Sequence, residues 1–125
     1  MNEFNKYQKE AKERYKNAEA YIEYSEKTKN YTKEKWSEIS EKLNDIFYEF
    51  SFHLKNNTNP SSIEILQLVE KLQNHITENY YKCTNEILLS LGQMYISDQR
   101  FKNNIDKFQE GTAEFINKSI QIYCK

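Results

Sequence analysis

Glycine and proline are nearly missing from this chain, with two glycines and one proline in 125 residues. Sheet proteins draw on those residues at their turns, so the shortage argues against a turn-rich β fold and for long helices joined by short links. An excess of one charge is missing too: Lys and Arg number 18 against 19 Asp and Glu, a net charge of -1. Nucleic-acid binders usually carry a basic excess or stripe. Here acids and bases alternate as they do on solvated helix faces, so no direct nucleic-acid contact is expected. No apolar run approaches the roughly 20 residues that span a bilayer, and the opening MNEFNKYQKEAKERY has no apolar signal core. A membrane role is not expected. Cys83 and Cys124 are far apart with no Cys-x-x-Cys spacing, which suggests neither zinc nor a disulfide framework. Free thiols fit a reducing cytoplasm. With only His53 and His75, no glycine-rich phosphate loop and no metal-ligand spacing, no catalytic constellation stands out. The chain reads as a single small domain that is not an enzyme and needs no cofactor.

What is present is helical periodicity. Phe4, Tyr7, Ala11, Tyr15, Ala18 and Ile22 form a weak stripe over residues 1 to about 28, built from Tyr and Ala with Ile22 its one branched aliphatic residue. Thr32 is placed to cap a strong helix carrying Trp36, Ile39, Leu43, Ile46, Phe47, Phe50 and Leu54. The run Asn56 to Pro60 is a loop, and Ser61 with Glu64 reads as a capping box. Ile65, Leu68, Val69, Leu72 and Ile76 follow on one face, to about Tyr80. Thr84 caps a helix with Ile87, Leu88, Leu91, Met94 and Tyr95, and Ser97 or Asp98 opens a short piece through Phe101 and Ile105. A last helix points Phe115, Ile116, Ile120 and Tyr123 inward. The fold expected is all-α, a compact bundle.

Three features carry possible chemistry. Aromatics make up 14% of the chain, ten of them Tyr. A Tyr-lined cleft, above all Tyr80, Tyr81 and Tyr95, suits a large, ring-rich, half-polar ligand, although the same rings could simply be core. Cys83 precedes the Thr84 cap, where the helix dipole and Lys82 would lower its pKa and raise its nucleophilicity. The alternative is a small buried hydrophobe. His75 reads either as a ligand contact or as a half-buried residue bonded to a carbonyl. A groove of this kind could also take a partner helix.

The segments His75-Ile76, Tyr80-Tyr81-Lys82-Cys83-Thr84-Asn85-Glu86-Ile87, Leu91-Gly92-Gln93-Met94-Tyr95, Asp98-Gln99-Arg100-Phe101 and Gly111-Thr112-Ala113-Glu114-Phe115 occur in this order. The pattern resembles the TipAS antibiotic-recognition domain of MerR-family regulators. The resemblance implies a globin-like helical core over 32–125 and a mobile N-terminal helical lid over 1–31. It implies binding of thiopeptides or other large aromatic antibiotics, with Cys83 adding covalently to a dehydroalanine of the drug. The ligand contacts expected on this basis are Cys83, Tyr80, Tyr81, His75, Met94, Tyr95, Phe101, Phe47 and Tyr15. Lys82 stands where the family often has Pro, and Tyr15-Lys16-Asn17 where it often has Trp-Gly-Asp-like residues. The winged helix and coiled coil of full MerR-type regulators are not in this sequence, so the chain reads either as a free-standing drug-sequestering form or as the drug-sensing part of a longer regulator.

Overall fold

The computed structural model describes residues 18–125, and among them it contains six helices and no strand. They are α1 (Ala18–Thr28), α2 (Lys33–Lys55), α3 (Ile63–Asn79), α4 (Asn85–Ser97), α5 (Gln99–Asp106) and α6 (Thr112–Tyr123). The all-helical bundle is the one the spacing of apolar residues calls for. The expected lid falls partly outside the described residues, which include none of 1–17 and so not Tyr15.

The starts of α2 to α6 each have a local chemical cause. Side-chain oxygens of Thr32, Ser62, Thr84 and Asp98 accept from first-turn N–H groups at the starts of α2 to α5, satisfying donors that have no partner inside the helix. The α3 cap is Ser62 and not Ser61. Asn59 Oδ1 takes both the Ser61 N–H at 2.8 Å and its hydroxyl at 2.7 Å, which leaves the next serine to cap. Before α6 the backbone turns through Gly111 at φ 92, a left-handed conformation that favours glycine. With no side chain there to cap, Asp106 Oδ1 accepts from the Ala113 N–H at 2.9 Å.

The core is mostly apolar, with His75, Asn117 and Ser119 among its few buried polar side chains. Phe47, Phe50, Leu72, Ile76, Leu88, Leu91, Ile116 and Ile120 are almost wholly buried, each such side chain contributing about 1.5–3 kcal/mol. Helices α2 and α3 pack on each other and on α6, and α5 packs on α4 and α6. Helix α4 lies tight on α6, where a Cβ at Gly92 would lie 2.6 Å from Asn117 Oδ1 and 3.3 Å from Ile120 Cδ1. Helix α1 is different: its backbone approaches the others at fewer points than they approach one another. Its inner face also differs from the expected stripe. Ala20 and Tyr24 are buried while Ile22 is 62% exposed, because the face is chosen by Tyr24 packing on tyrosine rings below it.

Candidate functional site

Helix α3 ends where Tyr80 leaves the helical backbone (φ -125, ψ -60), and residues 80–84 form a tight corner into α4. Tyr80 and Tyr81 both turn fully inward there. Polar bonds fix the corner from several sides. Thr77 Oγ1 accepts from the Cys83 N–H at 3.1 Å. Gln73 Nε2 donates to the Cys83 carbonyl at 2.8 Å and to Asn85 Oδ1 at 2.9 Å, while Gln73 Oε1 accepts from the Tyr123 hydroxyl at 3.1 Å. From α1, Glu23 Oε1 accepts from the Lys82 N–H at 2.8 Å, and Lys27 Nζ donates to the Thr77 carbonyl at 2.8 Å. Gln73 thus ties α3, the corner, α4 and α6 together. It was not among the residues expected from sequence, and a lone helical glutamine gives no signal of what its amide will reach.

Around the corner lies a connected set of rings. Tyr80 stacks on Tyr24 of α1 (centroids 6.1 Å, planes 13° apart) and on Trp36 of α2 (6.1 Å, 30°), with His75 at its edge (6.5 Å). Tyr24 also meets Tyr81 at 6.4 Å. Tyr31 packs edge-on against Trp36 at 5.1 Å and donates its hydroxyl to the Asn79 carbonyl at 2.7 Å. Stacked and edge-on rings at these separations attract beyond their buried area. Burial pushes the Tyr24 phenol up to about 12 and raises those of Tyr80 and Tyr81 well above the ordinary phenol value, with neighbouring phenols, and Cys83 beside Tyr81, adding to it. All three phenols are therefore neutral at physiological pH. A second group stacks Tyr95 on Phe101 at 4.7 Å with Phe47 edge-on to both.

The expected contacts thus separate. The corner brings together Tyr80, Tyr81, Cys83 and His75. Tyr95, Phe101 and Phe47 form the second group, and Met94 is buried in the core. The rings form a packed wall. Tyr24, Tyr31 and Trp36 join the wall without having been picked out for it: Trp36 read as a core position of its helix, and Tyr24 lies off the stripe expected for the first helix.

Cys83 does not have the lowered pKa its position promised. It is 5% exposed, and burial, with Cys124 nearby, pushes the thiol up to about 12. The low-dielectric surroundings outweigh the helix dipole. Its Sγ donates to the Thr84 carbonyl at 3.8 Å. His75 also departs from its expected environment. It is buried rather than half-buried, and burial first, with Lys42 adding and Glu78 opposing, lowers its pKa to about 4. Asn79 Nδ2 lies 3.3 Å from Nδ1 and donates to the His75 carbonyl at 2.8 Å. Its Nε2 has no hydrogen-bond partner among the described residues.

Two open surface grooves lie elsewhere. One of about 530 Å³ between α2 and α3 is lined by charged residues such as Lys42, Glu49 and Glu78 and includes His75. One of about 600 Å³ lies near Gly111. Neither touches Cys83 or the stacked tyrosines, and neither has the aromatic lining a ring-rich ligand needs. No group of three or more His, Cys, Asp or Glu residues that could hold a metal occurs among the described residues. No described helix is long and apolar enough to cross a membrane.

The sequence pattern of the TipAS antibiotic-recognition domain matches residues 7–123. The chain is 33% identical over 114 residues to the HTH-type transcriptional activator TipA of Streptomyces coelicolor and, to the same degree, of Streptomyces lividans. It is 32% identical over 102 residues to the HTH-type transcriptional activator mta of Bacillus subtilis. These matches cover 91% and 82% of this chain but 45% and 39% of the relatives, so the chain spans less than half the length of these curated relatives. Among solved structures it is similar to TipAS of Streptomyces lividans in complex with the thiopeptide nosiheptide. The TM-score is 0.80 at 32% identity, over 96% of this chain and 84% of that one.

Proposed function

Because the chain belongs to the TipAS antibiotic-recognition domain family, we propose that it binds a large, ring-rich antibiotic of the thiopeptide kind at the α3–α4 corner. The observation that carries this is the Tyr24–Tyr80–Trp36 stack on the same corner, residues 80–84, that holds Cys83. Flat rings with polar tips match a ligand that is itself a chain of rings. Tyr80 and Tyr81 are fully buried, so a ligand reaches them only when what covers them moves. Helix α1, which meets them through Tyr24 and bonds to Lys82 and Thr77 on either side, is the described element that shifts. Its ring contacts are then replaced by ligand rings, and the population moves to the open form because only that form binds.

Cys83 is the residue that would make the complex covalent. Its thiolate attacks the terminal alkene carbon of a dehydroalanine, a C–S bond forms, and the α-carbon takes up the proton. Nothing leaves, and no enzymatic turnover follows. The setting is cytoplasmic, where thiols persist. In a longer regulator, a MerR-type DNA-binding domain would couple drug binding to transcription, whereas the chain alone would lower the free drug concentration by mass action.

Thermal melts of the chain against a panel of thiopeptides and other large aromatic antibiotics test the reading. A ligand at 100 times its Kd adds about 2.7 kcal/mol to the folded state, so a rise of several degrees is expected with one chemical class. No shift across the panel overturns the proposal. A concentration-dependent dimer without drug, seen by light scattering, would assign the aromatic surface to a partner helix instead.

A further inference from the structure

Cys124, which the proposed capture chemistry does not use, lies close to Cys83 although the two are far apart in sequence. Helix α6 lies along α4 so that its C-terminal cap, Cys124, meets the first residues of α4. Cys124 Sγ donates to the Asn85 carbonyl at 3.7 Å, and Cys83 Sγ donates to the Thr84 carbonyl at 3.8 Å. The two sulfurs therefore sit on the carbonyls of adjacent residues, whose Cα atoms are about 3.8 Å apart. The same two segments are tied at a second point, where Tyr123 bonds to Gln73 and Gln73 bonds to the Cys83 carbonyl. Both cysteines are free thiols. Each thiol is disfavoured as a thiolate by burial, and the Cys83 thiol further by Cys124 itself.

We propose that Cys83 and Cys124 are a redox pair whose disulfide withdraws Cys83 from reaction with an electrophilic ligand. The pairing rests on the geometry above, and the withdrawal rests on the covalent reading of the proposed function. The reaction is exchange with a low-molecular-weight disulfide such as oxidised glutathione. Cys124, the more exposed of the two, attacks one sulfur as a thiolate, and a small thiol leaves. Cys83, also as a thiolate, attacks the Cys124 sulfur of this mixed disulfide, and the second small thiol leaves. Two protein thiols are oxidised, one small disulfide is reduced to two thiols, and the protons released by the cysteines go to the departing thiolates. Cys124 sits at a helix end, where fraying gives the last turn room to adjust. The new bond closes a loop through α4, α5 and α6, which restricts the unfolded chain.

The full chain treated with oxidised glutathione should lose two hydrogens by intact-mass measurement and yield one peptide cross-linked between Cys83 and Cys124. Cys83→Ser and Cys124→Ser should each abolish the cross-link. The oxidised wild type should melt several degrees higher and give no mass adduct with a thiopeptide. Reduced wild type and oxidant-treated Cys124→Ser should both give the adduct. Oxidised wild type carrying two free thiols, or two mixed disulfides, overturns the pair. Oxidised protein that is cross-linked yet still forms the adduct overturns the withdrawal. Cross-linking without any adduct in the reduced protein leaves the pair standing and removes the covalent step from the proposed function.

Discussion

With its thiol held near 12, Cys83 is a thiolate in only about one molecule in 10⁴ to 10⁵ at pH 7.5. Adduct formation with a thiopeptide should therefore accelerate about tenfold per pH unit from 7 to beyond 9. A stopped-time mass assay across that range checks this. A plateau near the ordinary cysteine pKa of ~8.5 would mean that the thiol is exposed before it reacts. His75 supplies a second pH effect. Its folded pKa of about 4 lies below the unfolded 6.5. Above 6.5 both states are neutral there and the group costs nothing. As pH falls from 6.5 to 4, the unfolded chain takes up a proton that the folded one refuses. Stability is lost over that window, by up to about 3 kcal/mol. Urea melts at pH 7 and pH 4.5 should show this loss in the wild type and a smaller one in His75→Gln.

At the scale of elements, the α4–α6 contact is unforgiving. Gly92→Ala puts a methyl 2.6 Å from Asn117 Oδ1, and overpacking of this kind costs about 1–3 kcal/mol. The expected result is a lower Tm, partly restored by Asn117→Ala. Helix α1 should behave in the opposite way. Tyr24→Ala removes its ring contacts with Tyr80 and Tyr81, so α1 amides should exchange much faster while those in the core of α2–α6 keep their protection. Equal acceleration everywhere would show that α1 is part of the cooperative core. This contrast was only partly legible in the sequence. Strong stripes such as Ile39, Leu43, Ile46 and Phe50 fix the buried face of α2, because many branched residues agree on it. In α1 the only branched aliphatic, Ile22, pointed outward, and the buried face was decided by rings on another helix. Ser61 and Ser62 offer the same capping chemistry, and the choice depended on which one Asn59 captured. At the site, the corner residues Tyr80, Tyr81 and Cys83 were legible as a motif. The burial of Cys83 was one of its two sequence readings, and it is the one the structure bears out. The bonds of Gln73 and the stacking of Trp36 on Tyr80 were not legible, since each depends on what distant segments bring alongside.

For the molecule as a whole, three elements converge on one corner. Helix α1 reaches it through Glu23, α3 through Thr77 and Gln73, and α6 through Tyr123 and Cys124. The chain also contains a single tryptophan, and Trp36 stands in that wall, stacked on Tyr80 and edge-on to Tyr31. All indole fluorescence of the described fold therefore comes from the ring stack itself. Excited at wavelengths that spare tyrosine, the protein emits from the place where α1 sits and where a ligand would lie. Lifting α1 should shift that emission to the red, and a bound ring system should quench it. The fold thus carries its own optical readout of occupancy, which can be titrated without any label.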